Sequence, residues 1–176
     1  MLVKPVIGGN IVNVISAYAP QVGLDDQTKR DFWERMDEIL REIPVGENLV
    51  IGGDFNGHVG IDKLGYERVY GGYRFGDRNE AGESILDFAL AFDLVVANTM
   101  YKKREEHLIT FKSVLVKSQI DYFLVRKVDR LKCSDCKVIS GESLASQHRI
   151  LILIYVLVGN TKRGRMVGVV RRAGGP

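Results

Sequence analysis

Apolar residues recur along this chain with two periods, and each period marks a different kind of element. Phe32, Met36, Ile39, Leu40 and Ile43 fall at helical spacing, one stripe of an amphipathic helix. Asp25 or Asp26 can cap its start, and Pro44 stands just beyond its end. Ile85, Phe88, Ala89 and Phe92 repeat the stripe in a second helix from about Ala81 to Phe92. Short runs rich in β-branched and aromatic residues predict strands at Ile11 to Tyr18, Leu49 to Ile51, Leu94 to Ala97, Ile109 to Phe111, Gln119 to Val125 and Ile150 to Val158. The first is preceded by a Gly8-Gly9-Asn10 turn suited to a hairpin and is stopped by Pro20. The last is apolar on both faces, which predicts a central strand between two layers. From Gly57 to Arg78, glycines mix with Tyr66, Tyr70, Tyr73 and Phe75 without a period, so a long loop is expected, functional or mobile. Strands with few intervening helices point to a layered α/β (α+β) fold.

Composition narrows this to one globular domain. The chain has 176 residues, 45% hydrophobic and 27% charged, ordinary values for a soluble protein. No apolar run reaches the roughly eighteen residues of a membrane span, and no secretory leader is legible. The expected location is therefore intracellular, nuclear or cytoplasmic, and not secreted. The formal charge of +3 is unevenly spread. Residues 159–176 hold Lys162, Arg163, Arg165, Arg171 and Arg172 and no acid, which leaves residues 1–158 near neutral. That end is expected to be a disordered basic tail, either merely solvated or touching phosphate backbones nonspecifically. Cys133 and Cys136 supply half of a structural zinc site without a second half, and are expected to be free thiols.

Chemistry enters at Gly52-Gly53-Asp54-Phe55-Asn56, where a buried strand ends in two glycines and then an acid and an amide. By itself this is as readily a turn as a site. Three other segments change the reading: Ser16-Ala17-Tyr18-Ala19-Pro20, Ser118-Gln119-Ile120-Asp121-Tyr122-Phe123-Leu124 and Ser146-Gln147-His148-Arg149. In this order the four resemble the endonuclease/exonuclease/phosphatase superfamily over about Val6 to Val158. That superfamily comprises metal-dependent phosphodiesterases and phosphatases, among them abasic-site DNA nucleases and the endonuclease domains of non-LTR retrotransposons. The wording around Tyr66 to Asn79, Glu105 to Phe111 and Gln119 to Arg126 resembles the retroelement branch.

The resemblance implies a four-layer αββα sandwich with two facing β-sheets, present here in part. It also implies roles. Tyr18 would donate to a phosphate oxygen, Asp54 would orient or deprotonate the attacking water, and Asn56 would hold the phosphate through its amide. Asp121 would buttress His148 and favour its imidazolium form. Lys112 and Ser113 would contact substrate, and Asp54 would be a ligand for Mg²⁺ or Mn²⁺, with DNA as the implied partner. His58 and His107 are expected to be solvated.

Two departures temper the expected activity. The superfamily carries an asparagine and a metal-binding glutamate ahead of the segment matching Tyr18, and neither has a counterpart here, so the chain reads as truncated at its amino end. Gln147 stands where an acid ordinarily precedes the histidine, and an amide is a poorer ligand for a hard cation. Losing about 4 kcal/mol of charge stabilisation slows a reaction roughly a thousandfold. The expectation is weak metal binding, little turnover, and an exposed sheet edge and apolar surface that favour self-association. The rivals are an active endonuclease completed by an upstream segment and a noncatalytic nucleic-acid-binding module.

Overall fold

The computed structural model describes residues 1–62, 64–73, 75–143, 147–158 and 163–170. The chain runs through β1 (Leu2–Val3), β2 (Val6–Ile7), β3 (Asn10–Tyr18), α1 (Asp26–Arg41), β4 (Asn48–Asp54), α2 (Glu80–Ala91) and β5 (Leu94–Val96). It continues through β6 (Phe111–Lys112), β7 (Lys117–Ser118), β8 (Asp121–Arg126), β9 (Cys133–Ser143), β10 (Arg149–Val158) and β11 (Arg163–Val170).

Both helices begin where their caps dictate. The Asp25 carboxylate accepts from Thr28 N at 2.9 Å, and the Asn79 side chain accepts from Gly82 N at 2.9 Å, each satisfying a donor that the first helical turn leaves open. Asn79 also accepts from His58 N at 2.9 Å, which ties the segment after β4 to the start of α2. The contact is close because Gly82 has no side chain: a Cβ there would stand 1.7 Å from the His58 carbonyl oxygen.

The first sheet has the order β1-β3-β4-β8-β5, with β2 pairing β3. β3 and β4 run parallel, and β8 is antiparallel to both β4 and β5. Alternation sends Ile15, Leu49, Ile51, Tyr122 and Leu124 to one face, where they form a core with Met36, Leu40, Ile85, Leu86 and Ala89 of the helices. Val12, Val50, Phe123 and Val125 go to the other face and meet Cys133, Cys136, Val138, Leu151, Leu153 and Tyr155 of a second sheet, ordered β11-β10-β9. The layers are thus helices, sheet and sheet, a mixed α/β arrangement as expected. Among the described residues no helix forms a fourth layer. The two cysteines are free and buried in the inter-sheet core, and burial pushes the Cys133 thiol up to about 12 and raises that of Cys136 as well.

Two expectations are corrected. Among the described residues no layer covers the second face of β10: Leu151, Leu153, Tyr155 and Leu157 are buried, while Ile152, Ile154 and Val156 on its other face are only half-buried. The basic end is not wholly irregular, because Arg163–Val170 is a strand paired antiparallel with β10, from Val158↔Arg163 to Leu151↔Val170. An open edge of β10 needs backbone partners, and Val167, Val169 and Val170 suit a strand, a preference masked in composition by glycine and arginine. Residues 159–162 and 171–176 lie outside the described residues. The long segment after β4 forms no helix or strand among its described residues, as expected, and it is packed. Tyr66, Val69 and Tyr70 are buried, the Tyr66 hydroxyl donates to Asp87 at 2.6 Å, and that of Tyr70 donates to the Gly60 carbonyl. Among the described residues no helix is long and apolar enough to cross a membrane.

Candidate active site

Three of the expected residues stand in one row across the first sheet. Tyr18 is the register partner of Asp54, and Asp54 that of Asp121, at the carboxyl ends of β3 and β4 and the start of β8. Each shares the parity of residues in the inter-sheet core (Val12 in β3, Val50 in β4, Phe123 in β8), so all three side chains project from the face that looks towards the second sheet. The strands can approach this closely at their ends because of Gly53: a Cβ there would lie 1.9 Å from the Ala17 carbonyl oxygen.

His148 arrives from the second sheet, one residue before β10. Its Nδ1 lies 3.1 Å from Asp121 Oδ2 and its Nε2 lies 3.7 Å from Asp54 Oδ2. The first distance is a hydrogen bond and the second is an ionic approach without one. Asp54, Asp121 and His148 are 6%, 3% and 5% exposed, and one ligand atom from each falls within 4.8 Å of the others. Polar groups buried at this density need partners, and these three meet one another.

Asn56 completes the turn and touches the row. Its φ of 49° is in the left-handed region that asparagine tolerates better than most residues. Its backbone N donates to Asp54 Oδ1 at 3.0 Å, and its Nδ2 donates to the Ala19 carbonyl at 2.7 Å. The turn and the site are therefore the same structure. Tyr18, 51% exposed, marks the solvent rim.

Two residues that sequence reasoning missed fix this geometry. Thr110 Oγ1 accepts from both Ile120 N and Asp121 N, each at 3.0 Å, and the Thr110 carbonyl accepts from Arg149 N at 2.7 Å. One residue thereby sets the backbone beside Asp121 and beside His148. Asn98 donates from Nδ2 to the Asp121 carbonyl at 3.0 Å and accepts from Phe123 N at 2.9 Å, continuing the β8 ladder beyond the end of β5. The Phe111 ring meets the His148 ring edge-on at 5.1 Å and 73°. The available signal was slight: Thr110 is a lone polar residue inside Leu108-Ile109-Thr110-Phe111, and Asn98 directly ends the run Leu94-Val95-Val96-Ala97.

The remaining candidates divide. Lys112 is exposed and lines a surface groove of about 530 Å³ with Arg104, Lys117, Arg149, Glu105 and Glu106, where Glu105 pairs with Lys117 and Glu106 with Arg104; the backbone N of Lys112 donates to the Gln147 carbonyl at 2.8 Å. Ser113 closes the β6–β7 turn, its Oγ accepting from Val116 N at 3.0 Å. Gln147 is exposed. The two other histidines are not solvated as expected. His58 is half-buried, and burial lowers its pKa. His107 Nδ1 lies 2.9 Å from the Val138 carbonyl oxygen and is held against β9.

Two carboxylates and an imidazole are a possible divalent-cation set. Oxygen donors from Asp54 suit a hard ion such as Mg²⁺ or Mn²⁺, but Asp121 is engaged by His148, so few protein oxygens remain for the ion.

Comparisons with known proteins show relatives in sequence and in fold. The chain is 30% identical over 143 residues to craniofacial development protein 2 of Tragulus javanicus, a match covering 80% of this chain and 25% of that protein. The chain thus spans about a quarter of the length of the curated relatives it matches. Among solved structures, it resembles an AP endonuclease from Archaeoglobus fulgidus with a TM-score of 0.61 at 18% identity, covering 88% of this chain and 64% of that one. The endonuclease domain of TRAS1, a telomere-specific non-LTR retrotransposon, superposes with a TM-score of 0.53 at 13% identity, covering 80% and 54%. No family profile matches the chain.

Proposed function

We propose that this chain, which has the endonuclease/exonuclease/phosphatase fold and is related in sequence to craniofacial development protein 2, hydrolyses phosphodiester bonds of DNA slowly, with Mg²⁺ or Mn²⁺ bound weakly at Asp54. The observation that carries this reading is the buried His148 flanked by Asp54 and Asp121.

Asp121 holds the proton on Nδ1 of His148, so that Nε2, the atom nearer Asp54, is the one aimed at the site. In the imidazolium form the ring offers a positive charge to a phosphate oxygen, in a place sheltered from water where electrostatic stabilisation is strong. The Asp54 carboxylate orients and deprotonates the attacking water. Tyr18 at the rim donates its phenol proton to a nonbridging oxygen, and the second amide hydrogen of Asn56 serves the same end. A divalent ion, when held by Asp54, adds Lewis-acid polarisation of the phosphate.

Turnover is slow because Gln147 contributes no charge where an acid would, which leaves the ion held weakly at Asp54. A deficit of about 4 kcal/mol corresponds to roughly a thousandfold in rate. Likeness to an AP endonuclease and to a retrotransposon endonuclease domain supports abasic-site DNA and plasmid as first substrates. The test is nicking of both in Mg²⁺ or Mn²⁺. Slow nicking that vanishes in Asp54→Ala and His148→Ala, and rises in Gln147→Asp, is expected. Nicking indifferent to Asp54→Ala would overturn the assignment. Salt-dependent DNA binding without cleavage would favour a binding module instead, a second reading that rests on the excess of cations over acids, four against two, in the groove beside Lys112.

A further inference from the structure

The outer seam between α1 and α2, on the face of the first sheet away from the Asp54–Asp121–His148 cluster, is a groove of about 700 Å³. α1 supplies Trp33, Glu34, Asp37 and Glu38, and α2 supplies Ser84, Asp87, Phe88, Ala91 and Phe92, one stripe on each helix. The floor is aromatic. The Trp33 ring lies 5.1 Å from that of Phe88, and Phe88 lies 5.0 Å from Phe92; Trp33 and Phe92 remain half-buried.

Its walls carry four acids and no lysine, arginine or histidine, on a chain whose formal charge is +3. Three of the acids have partners within the protein. Asp37 accepts from Arg41 through both oxygens, at 2.5 and 3.2 Å, whereas Glu38 binds Arg35 at 2.8 Å and Asp87 accepts from the Tyr66 hydroxyl at 2.6 Å, each of these two through one oxygen that leaves the other open. Glu34 is exposed. A second source of negative potential points the same way: α2 ends in the groove at Ala91 and Phe92 with no basic residue in its last turn, so the carboxyl end of its dipole is not neutralised by its own side chains.

We infer that this groove docks a basic amphipathic helix of a partner protein. Apolar side chains at helical spacing on the partner fill the space over Trp33, Phe88 and Phe92, and arginines or lysines on its flanks meet Glu34, Asp37, Glu38 and Asp87. A helix is the matching shape because the groove is itself walled by two helices, into which ridges of a third can fit. A guanidinium above the Trp33 face adds a cation–π contact. A polyanion such as nucleic acid is repelled by the same walls. The inference stands on the helical face and does not depend on the activity proposed for the buried cluster.

Trp33 is the single tryptophan of the chain and reports on the groove directly. Its emission is followed while three synthetic peptides are added to the whole chain: an amphipathic leucine/arginine helix, the leucine/glutamate counterpart, and a scrambled leucine/arginine sequence of equal composition. The expected result is a saturable change with the first peptide alone, weakened by added salt and about tenfold weaker in Glu34→Lys/Glu38→Lys. Both substituted positions are exposed, and a thermal melt confirms that the double variant folds. No response to the amphipathic basic helix overturns the inference, as does an equal response to the scrambled or acidic peptide, or indifference to the charge reversal. A change in emission with protein concentration alone would also overturn it, by assigning the groove to a second copy of the chain.

Discussion

The first sheet is sheltered on both faces, by α1 and α2 on one and by β9 and β10 on the other, whereas β10 turns Ile152, Ile154 and Val156 half-exposed to the outside. The candidate site draws on both sheets. Asp54 and Asp121 come from the sheltered one, and His148 comes from the start of the one covered on a single face. The separation between imidazole and carboxylates is therefore set by the apolar contact between sheets, above all Val50, Phe123, Leu151 and Leu153. Folding and the geometry of the candidate site share a dependence on that contact, while the half-buried outward face of β10 contributes less to both.

The contrast breaks most readily at Leu153, which is 0% exposed between the sheets. Leu153→Ala should cost about 2 to 5 kcal/mol, read from denaturant unfolding. Ile154→Ala, one residue away on the outward face, should cost less than about 1 kcal/mol. Equal costs would mean that both faces of β10 are covered. Next in size is Thr110→Val, which leaves the Ile120 and Asp121 backbone donors without their acceptor; a loss of about 1 to 3 kcal/mol is expected. Nicking should fall in this variant by more than the loss of folded protein accounts for.

A smaller effect concerns association. Anilinonaphthalenesulfonate dye and sedimentation should report an exposed apolar face, and Ile152→Lys/Ile154→Lys should reduce both signals without lowering stability. Unchanged dye binding would place the apolar surface elsewhere. The smallest effect is alkaline. Burial raises the Cys133 thiol from 9.0 to about 12 and moves Cys136 in the same direction, so the folded state holds protons that the unfolded state releases first. Stability from this source is complete below about pH 9 and declines as the pH rises towards 12. The decline should be smaller in Cys133→Ala, and both thiols should resist disulfide reagents in the native chain at neutral pH.

Elements governed by neighbours in sequence were the legible ones. The Asp25 cap, the stripe of α1 and the strand ending at Asp54 follow from local spacing, and the motif order brought Tyr18, Asp54, Asn56, Asp121 and His148 to attention. What the sequence could not display depends on distant partners. Whether the outer face of β10 is covered is decided by a layer, not by its own residues, and the strand character of Arg163–Val170 emerges only beside β10. Tyr66 and Tyr70 look like loop residues until Asp87 and Gly60 are placed next to them. Thr110 and Asn98 act through backbone groups of β8 and of the residues just before it, contacts with no signature beyond a polar residue within or at the end of an apolar run.

The most direct test of the central claim, that Asp54, Asp121 and His148 form one cation-responsive site, uses the three histidines of the chain as separate NMR reporters during a Mn²⁺ titration. The ring signals of His148 should broaden at the lowest Mn²⁺ concentration, ahead of His58 and His107, and this selectivity should disappear in Asp54→Asn. Broadening that begins at His58 or His107, or that is the same in Asp54→Asn, would contradict the account.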